Sequence, residues 1–323
     1  MPKHTKPLCN ISMTTQRIDI SCEFLGLKMS SPLVLASGVI GTSAGLLERA
    51  ARCGAGAVTS KSCSLEPRLG HPNPVAVEWG GGVINAMGLT NPGADEEVLM
   101  LRETKARLEP LGVPVIASIF ASSVKQFGQV ASIISQAEPD LIEVNISCPN
   151  VGDEFGAPFG GSPESAAAVT EIVKASTRIP VSVKLAPNVP SIARIASAVV
   201  KAGADAITAI NTMPGMIIDA RAGKPVLSNR MGGISGWALK PVALRCVAEI
   251  RQAVDVPIIG TGGISTGQDA AEMLMAGATA VGVGSSVWFR GPEVFGLINA
   301  ELIAFMEGEG YSDLEGMRGL AIR

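Results

Sequence analysis

A (β/α)8 barrel is the fold that this sequence predicts, and three observations lead to it. Eight short β-rich apolar runs each end in polar residues and are followed by a helical stretch. The segment that carries them is about 280 residues long, a normal size for such a barrel. Small tripeptides, Gly54-Ala-Gly56, Ala202-Gly-Ala204 and Ala276-Gly-Ala278, recur just before a run, as expected where a helix C-cap turns into the next strand. A doubly wound open sheet is the structural rival, but no GxGxxG follows a first strand.

In chain order, 1–17 are polar and irregular and are expected to be a flexible extension, and 18–323 to form a single domain. A short hairpin strand is expected over 19–27, ending at Gly26. The eight runs are 33–37, 57–62, 113–118, 141–147, 181–185, 206–211, 257–263 and 280–285. Helices are expected near 43–52, 123–137, 163–176, 192–202, 240–253, 266–276 and 292–306. Two insertions, 63–93 and 212–239, interrupt the alternation. Both follow a strand, so in a barrel both lie on the face where active sites are built.

Composition bounds the function. The chain has 323 residues, 47% of them hydrophobic, and a formal net charge of −3, with no long basic cluster to suggest a nucleic-acid surface. No apolar run is long enough to span a membrane, and the start lacks a signal-peptide core, so a cytoplasmic protein is expected. The six cysteines include no CxxC pair, which suits a reducing compartment and predicts no metal site. With only two histidines, His4 and His71, far apart in sequence, proton transfer must fall to another residue type.

Chemistry in a barrel is read at the carboxyl ends of its strands. The stretch Glu143-Val-Asn-Ile-Ser-Cys148-Pro-Asn150 ends a strand in two asparagines and a thiol, then enters the Gly-rich loop 151–161. Pro149 prevents the strand from running straight into a helix. Free cysteine usually only packs, yet Cys148 sits among polar residues and is the candidate base. Lys61 and Lys184 end otherwise apolar strands, and two such cations on one face suggest one or two bound anions, unless they snorkel to the rim. Gly262-Gly263 and Gly284-Ser285 turn strand into helix where barrels commonly bind phosphate, a feature shared with sugar-phosphate isomerases and synthases. Finally, Gly80 to Gly93 is rich in small residues and amides, either a wrap around a flat polar ligand or an ordinary hairpin. Asn85, Asn145, Asn211 and Thr212 together fit a ring with alternating N–H and C=O groups, such as a pyrimidine.

These residues resemble class 1 dihydroorotate dehydrogenase from about Ile18 to the end. The resemblance rests on Asn85-Ala-Met-Gly-Leu-Thr-Asn-Pro-Gly93, Asn145-Ile-Ser-Cys-Pro-Asn150 and Asn211-Thr-Met-Pro-Gly-Met-Ile-Ile-Asp219. Gly232-Gly-Ile-Ser-Gly236, Lys240-Pro-Val-Ala-Leu-Arg245 and Ile258-Ile-Gly-Thr-Gly-Gly-Ile264 add to it. Cysteine at 148 resembles the soluble class 1 enzymes, where the membrane-associated class has serine. The wording of the last segments is most similar to the 1B branch, whose catalytic subunit passes electrons to NAD through a separate iron–sulfur flavoprotein.

The resemblance implies an FMN-binding TIM-barrel domain that oxidises dihydroorotate to orotate in pyrimidine biosynthesis. Gly262, Gly263, Gly284 and Ser285 would hold the FMN phosphate, with Gly236 nearby. Ser37, Lys61, Ser62, Asn145, Lys184 and Ile210 would line the rest of the cofactor, with Lys184 at the flavin N1/O2 edge. Lys61 and the backbone of Asn85, Ala86, Met87, Gly88 and Leu89 would take the substrate carboxylate, while the side chains of Asn85, Asn145, Asn211 and Thr212 read the ring. Cys148 would take the C5 proton as hydride leaves C6 for flavin N5. The family usually has asparagine where this chain has Ser118, which puts that FMN contact in question. FAD and a [2Fe-2S] cluster would belong to a partner subunit, and a homodimer or heterotetramer is implied. Two alternatives stand beside this reading: a dihydropyrimidine dehydrogenase-like flavoenzyme, and a non-catalytic flavin- or phosphate-binding barrel.

Overall fold

The computed structural model describes residues 18–146 and 159–323. Its centre is a closed barrel of eight parallel strands, Leu33–Leu35, Ala57–Thr59, Val115–Ile119, Leu141–Asn145, Val181–Leu185, Ala206–Ala209, Ile258–Thr261 and Ala280–Val283, each paired with its sequence neighbours. The last pairs with the first, Val281 opposite Leu33, and so closes the ring. Closure rules out the open-sheet rival.

Helices α1 (Ala44–Arg52), α2 (Ala94–Leu108), α3 (Val124–Ile134), α4 (Pro163–Ser176), α5 (Ile192–Lys201), α6 (Lys240–Ala253) and α7 (Gly267–Met275) alternate with the strands. A short helix α8 (Ser286–Arg290) and a long α9 (Val294–Glu309) follow the last strand, where one helix was expected. Five starts are set by a hydroxyl. Ser43, Ser123, Ser162, Ser191 and Thr266 each accept a hydrogen bond from the amide three residues on. The small tripeptides close α1, α5 and α7 in the same way. Gly54 (φ 104°), Gly203 (φ 100°) and Gly277 (φ 107°) reverse the chain, and the next residue's amide donates to a carbonyl five residues back: Ala55 to Ala50, Ala204 to Val199, Ala278 to Met273.

Two aspartates repeat one device. Asp140 accepts from the Val115 amide at 2.8 Å and pairs with Lys105, and Asp205 accepts from the Val181 amide at 2.7 Å and pairs with Lys174. Each carboxylate ties the start of one barrel strand to the turn entering the next.

The hairpin near the start is Cys22–Phe24 paired with Leu27–Met29, with Leu25 (φ 53°) and Gly26 (φ 80°) forming its turn, so Gly26 is the bend rather than the end of a strand. It is a plug. Phe24 and Met29 form a buried cluster with Val34, Ala57, Ile116, Leu141, Ala206, Ile259 and Ala280, which come from the amino ends of the barrel strands. Apolar contact therefore closes the floor, and a separate, larger core lies between the strands and the helices.

The two insertions build the opposite end together. Ala76–Trp79, Gly82–Asn85, Gly232–Ser235 and Met213–Gly215 form one four-stranded antiparallel sheet, with Gly233 opposite Asn85 and Ile234 opposite Ile84. Buried Ile84, Ala86 and Leu227 give this cap its own small core. No helix among the described residues is long and apolar enough to cross a membrane.

Candidate active site

Above the apolar floor the barrel interior becomes polar. Ser182 and Thr208 share a hydrogen bond at 2.9 Å, and Ser118 and Ser62 share another at 2.8 Å. One layer higher, Asn145 Nδ2 donates to Ser62 Oγ at 3.3 Å, and Asn211 Nδ2 donates to Asn145 Oδ1 at 3.2 Å. The ladder ends in a cavity of about 640 Å³ at the carboxyl ends of the strands, under the cap sheet.

The strand-end residues expected from the sequence meet in this cavity. Ser37, Lys61, Ser62, Asn145, Lys184 and Ile210 line it from the barrel. Gly236, Gly262, Gly263, Gly284 and Ser285 line it beside α6 and α8. Asn85, Ala86, Met87, Gly88 and Leu89, with Asn211 and Thr212, line it from the two insertions. Within the segment 80–93, Gly82–Asn85 is one arm of a hairpin with Ala76–Trp79, and 85–89 line the cavity. Cys148 lies outside the described residues. Ile146 is the last described residue before it, and beyond it Gly160, next to Phe159, donates its amide to the Ile146 carbonyl and lines the cavity.

Three features differ from the sequence-based expectation. Ser118 does not line the cavity. It is fully buried one layer below, with its hydroxyl engaged by Ser62 and by Glu143 Oε1 at 3.1 Å, because a serine is too short to reach past that layer. The N-terminus of α7 is already occupied: Asp269 accepts from the amides of Ser265 and Thr266, and Glu301 accepts from that of Gly267. An anion at this end must therefore meet the glycine turns themselves and the start of α8. Lys184 also has a protein counter-charge, Glu143 at 3.4 Å, so its burial does not by itself require a bound anion.

Two glycines at the cavity leave no room for a side chain. At Gly263 (φ 76°) a Cβ would lie 2.6 Å from Lys240 Cβ, and at Gly233 it would lie 2.1 Å from Thr212 Oγ1, one of the side chains facing the cavity. Thr261, Gly282, Asn188 and Trp288 also line the cavity and were not singled out from the sequence. For Gly282 the signal was present, as the glycine two residues before Gly284 on a barrel strand. Trp288 carried none.

Three of the four described cysteines, Cys22, Cys63 and Cys246, are poor bases. Burial pushes Cys63 well up, with nearby Glu97 adding to the effect, raises Cys22 to about 11 despite Arg318, and raises Cys246 despite Arg245. None of the three lines the cavity. Behind the second strand, burial pushes the Glu97 carboxyl up to about 7, against the opposing hydrogen bond from Ser60.

A family model for dihydroorotate dehydrogenase matches residues 19–306. The chain belongs to the dihydroorotate dehydrogenase family. Among curated relatives, the "Dihydroorotate dehydrogenase B (NAD(+)), catalytic subunit" of Methanosarcina mazei is 47% identical over 297 residues, covering 92% of this chain and 93% of the relative. Proteins with the same name from Methanocaldococcus jannaschii and Pyrococcus abyssi are 45% and 42% identical, covering 96% and 99% of their own lengths.

Dihydroorotate dehydrogenases work with a flavin, and this cavity fits one. Its volume is within the range of small-molecule sites. The Gly262-Gly263 and Gly284-Ser285 turns let backbone approach a phosphate at one end. Lys184, 5% exposed, brings a cation to the cavity wall, the kind of group that would stabilise charge on a ring gaining electrons.

Proposed function

We propose that this chain is the catalytic subunit of a class 1B dihydroorotate dehydrogenase, oxidising (S)-dihydroorotate to orotate in pyrimidine biosynthesis. The observation that carries the reading is the convergence of Lys61, Lys184, Asn85, Asn145 and Asn211 on one cavity, in a chain of this family. Ser37, Ser62, Ile210, Gly236 and the strand seven and eight glycines would hold FMN. Bound there, FMN would supply the two-electron acceptor for the hydride that leaves C6.

The protein's own groups do the rest. Lys61 pairs with the substrate carboxylate, assisted by the 85–89 backbone, and so fixes which end of the ring points where. Asn145 and Asn211, already hydrogen-bonded to each other, offer amides in a fixed orientation to the ring N–H and C=O groups. Thr212 Oγ1, given room by Gly233, adds a hydroxyl. Cys148, three residues beyond Asn145, takes the proton from C5 as general base. A second polypeptide would hold FAD and a [2Fe-2S] cluster, which would supply the electron path to NAD. The catalytic chain forms a homodimer, or a heterotetramer with that partner, in the cytoplasm.

The test is replacement of the thiol. Cys148→Ala should keep FMN and still bind orotate but lose at least a hundredfold in turnover, the usual scale of a general base. Cys148→Ser should recover activity as pH rises. Wild-type turnover in Cys148→Ala would overturn the base assignment. A yellow protein that dihydroorotate fails to bleach under nitrogen would overturn the activity itself.

A further inference from the structure

Two carboxylates are buried among the described residues, Glu97 and Glu143. Glu97 lies on α2, outside the barrel wall. Glu143 is in the middle of the fourth barrel strand, between Ile142 and Val144, which pack in the outer core, so alternation turns it inward. Its side chain is 4% exposed and lies 3.4 Å from the ammonium of Lys184, itself 6% exposed. Ser118 donates to the same carboxylate oxygen at 3.1 Å, and Ser37 Oγ takes a second bond from Lys184 at 2.9 Å. Lys184 and Ser37 line the cavity, but Glu143 does not. From the cavity, the carboxylate sits behind the ammonium.

We propose that Glu143 is a positioning residue that sets the positive charge the cavity presents to the flavin. This rests on the flavin reading above. Glu143 holds Lys184 in place and cancels part of its field. A lysine acting alone would favour the reduced, more negative ring strongly over the oxidised one, and such a cofactor gives up its electrons poorly. With Glu143 behind it, Lys184 still orders the ring edge, but the two oxidation states are held with more nearly equal strength. Ser118 fits this arrangement. Its hydroxyl keeps the carboxylate aimed at Lys184 instead of touching the cofactor.

The size of the effect follows from Coulomb's law. One full charge acting across a cavity wall, at an effective dielectric constant of about 20, changes an equilibrium by roughly tenfold or more. Glu143→Gln preserves shape and an acceptor for Ser118 while removing the charge. In an anaerobic redox titration of the FMN-loaded protein, this variant should hold reduced flavin about tenfold more tightly relative to oxidised, an upward shift of about 30 mV for a two-electron couple. Lys184→Met should shift the potential the other way. Should Glu143→Gln alone leave Lys184 uncompensated and fail to fold, Glu143→Gln/Lys184→Met has neither charge and should still lie about tenfold above Lys184→Met. A potential within about 9 mV of the parent in Glu143→Gln, which is twofold in the equilibrium, or equal potentials in that second pair, overturns the proposal, because a purely structural role for Glu143 would leave the couple unmoved. A parent chain that takes up no FMN overturns the flavin reading instead, and this proposal with it.

Discussion

Glu97 gives the fold a pH dependence whose sign can be worked out. Its carboxyl is raised from an ordinary 4.5 to about 7, chiefly by burial, and Oε1 has no hydrogen-bond partner among the described residues. The folded chain therefore holds a proton that the unfolded chain has released, at every pH between these values. Stability from this group is complete below pH 4.5 and is lost as pH rises through about 7. Each pH unit is worth about 1.4 kcal/mol, so the full loss is about 3 kcal/mol. The positive end of α2, in whose first turn Glu97 lies, returns roughly 0.3–1 kcal/mol of that. Glu97→Gln, shaped like the protonated acid, should therefore stabilise the protein by about 2–3 kcal/mol at pH 8 and by nothing measurable near pH 4.5. At about 2.1 cal/mol/K of unfolding entropy per residue, a chain of 323 residues should melt roughly 4 °C higher at pH 8. Calorimetry of both proteins at the two pH values, with flavin occupancy matched, measures it. An equal difference at both pH values, or a lower melting temperature for the variant at pH 8, would refute the argument.

Two further outcomes are expected. Phe24→Ala empties the centre of the floor plug and should cost about 3–5 kcal/mol in urea unfolding, while flavin affinity, proposed above to be set at the opposite end of the barrel, should stay unchanged. Lys61→Ala should raise the orotate Kd by at least tenfold and leave the binding of an uncharged pyrimidine such as uracil nearly as it was. An orotate Kd that Lys61→Ala leaves unchanged would overturn the carboxylate role and favour a dihydropyrimidine dehydrogenase-like activity on uncharged rings.

The barrel was legible because its signals are local. Ser43, Ser123, Ser162, Ser191 and Thr266 start helices wherever the surroundings are, and Gly54, Gly203 and Gly277 end them with one backbone shape. The strand ends were legible for the same reason: a lysine or asparagine closing an apolar run, as at Lys61, Asn145, Lys184 and Asn211, is visible without knowing its neighbours. What escaped depends on which strands meet. Nothing within Gly82–Asn85 states that its partner is Gly232–Ser235, and nothing in Glu143 alone states that Lys184 faces it from the next strand. The occupied start of α7 lies between these cases. Thr266-Gly-Gln-Asp269 spells a capping box in the sequence, but Glu301 arrives from α9 and could not be foreseen.

The shared sheet of the two insertions makes the roof of the cavity a single piece with two distant addresses in the gene. Residues 82–85 and 232–235 meet with Gly232 pressed against Asn85 and Ile234 packed on Ile84, so a chimera that borrows one insertion from a homologue should fit best when it borrows the other as well. Drift in this enzyme's substrate preference would for the same reason be recorded as matched changes in two separate stretches, with the barrel beneath them left untouched.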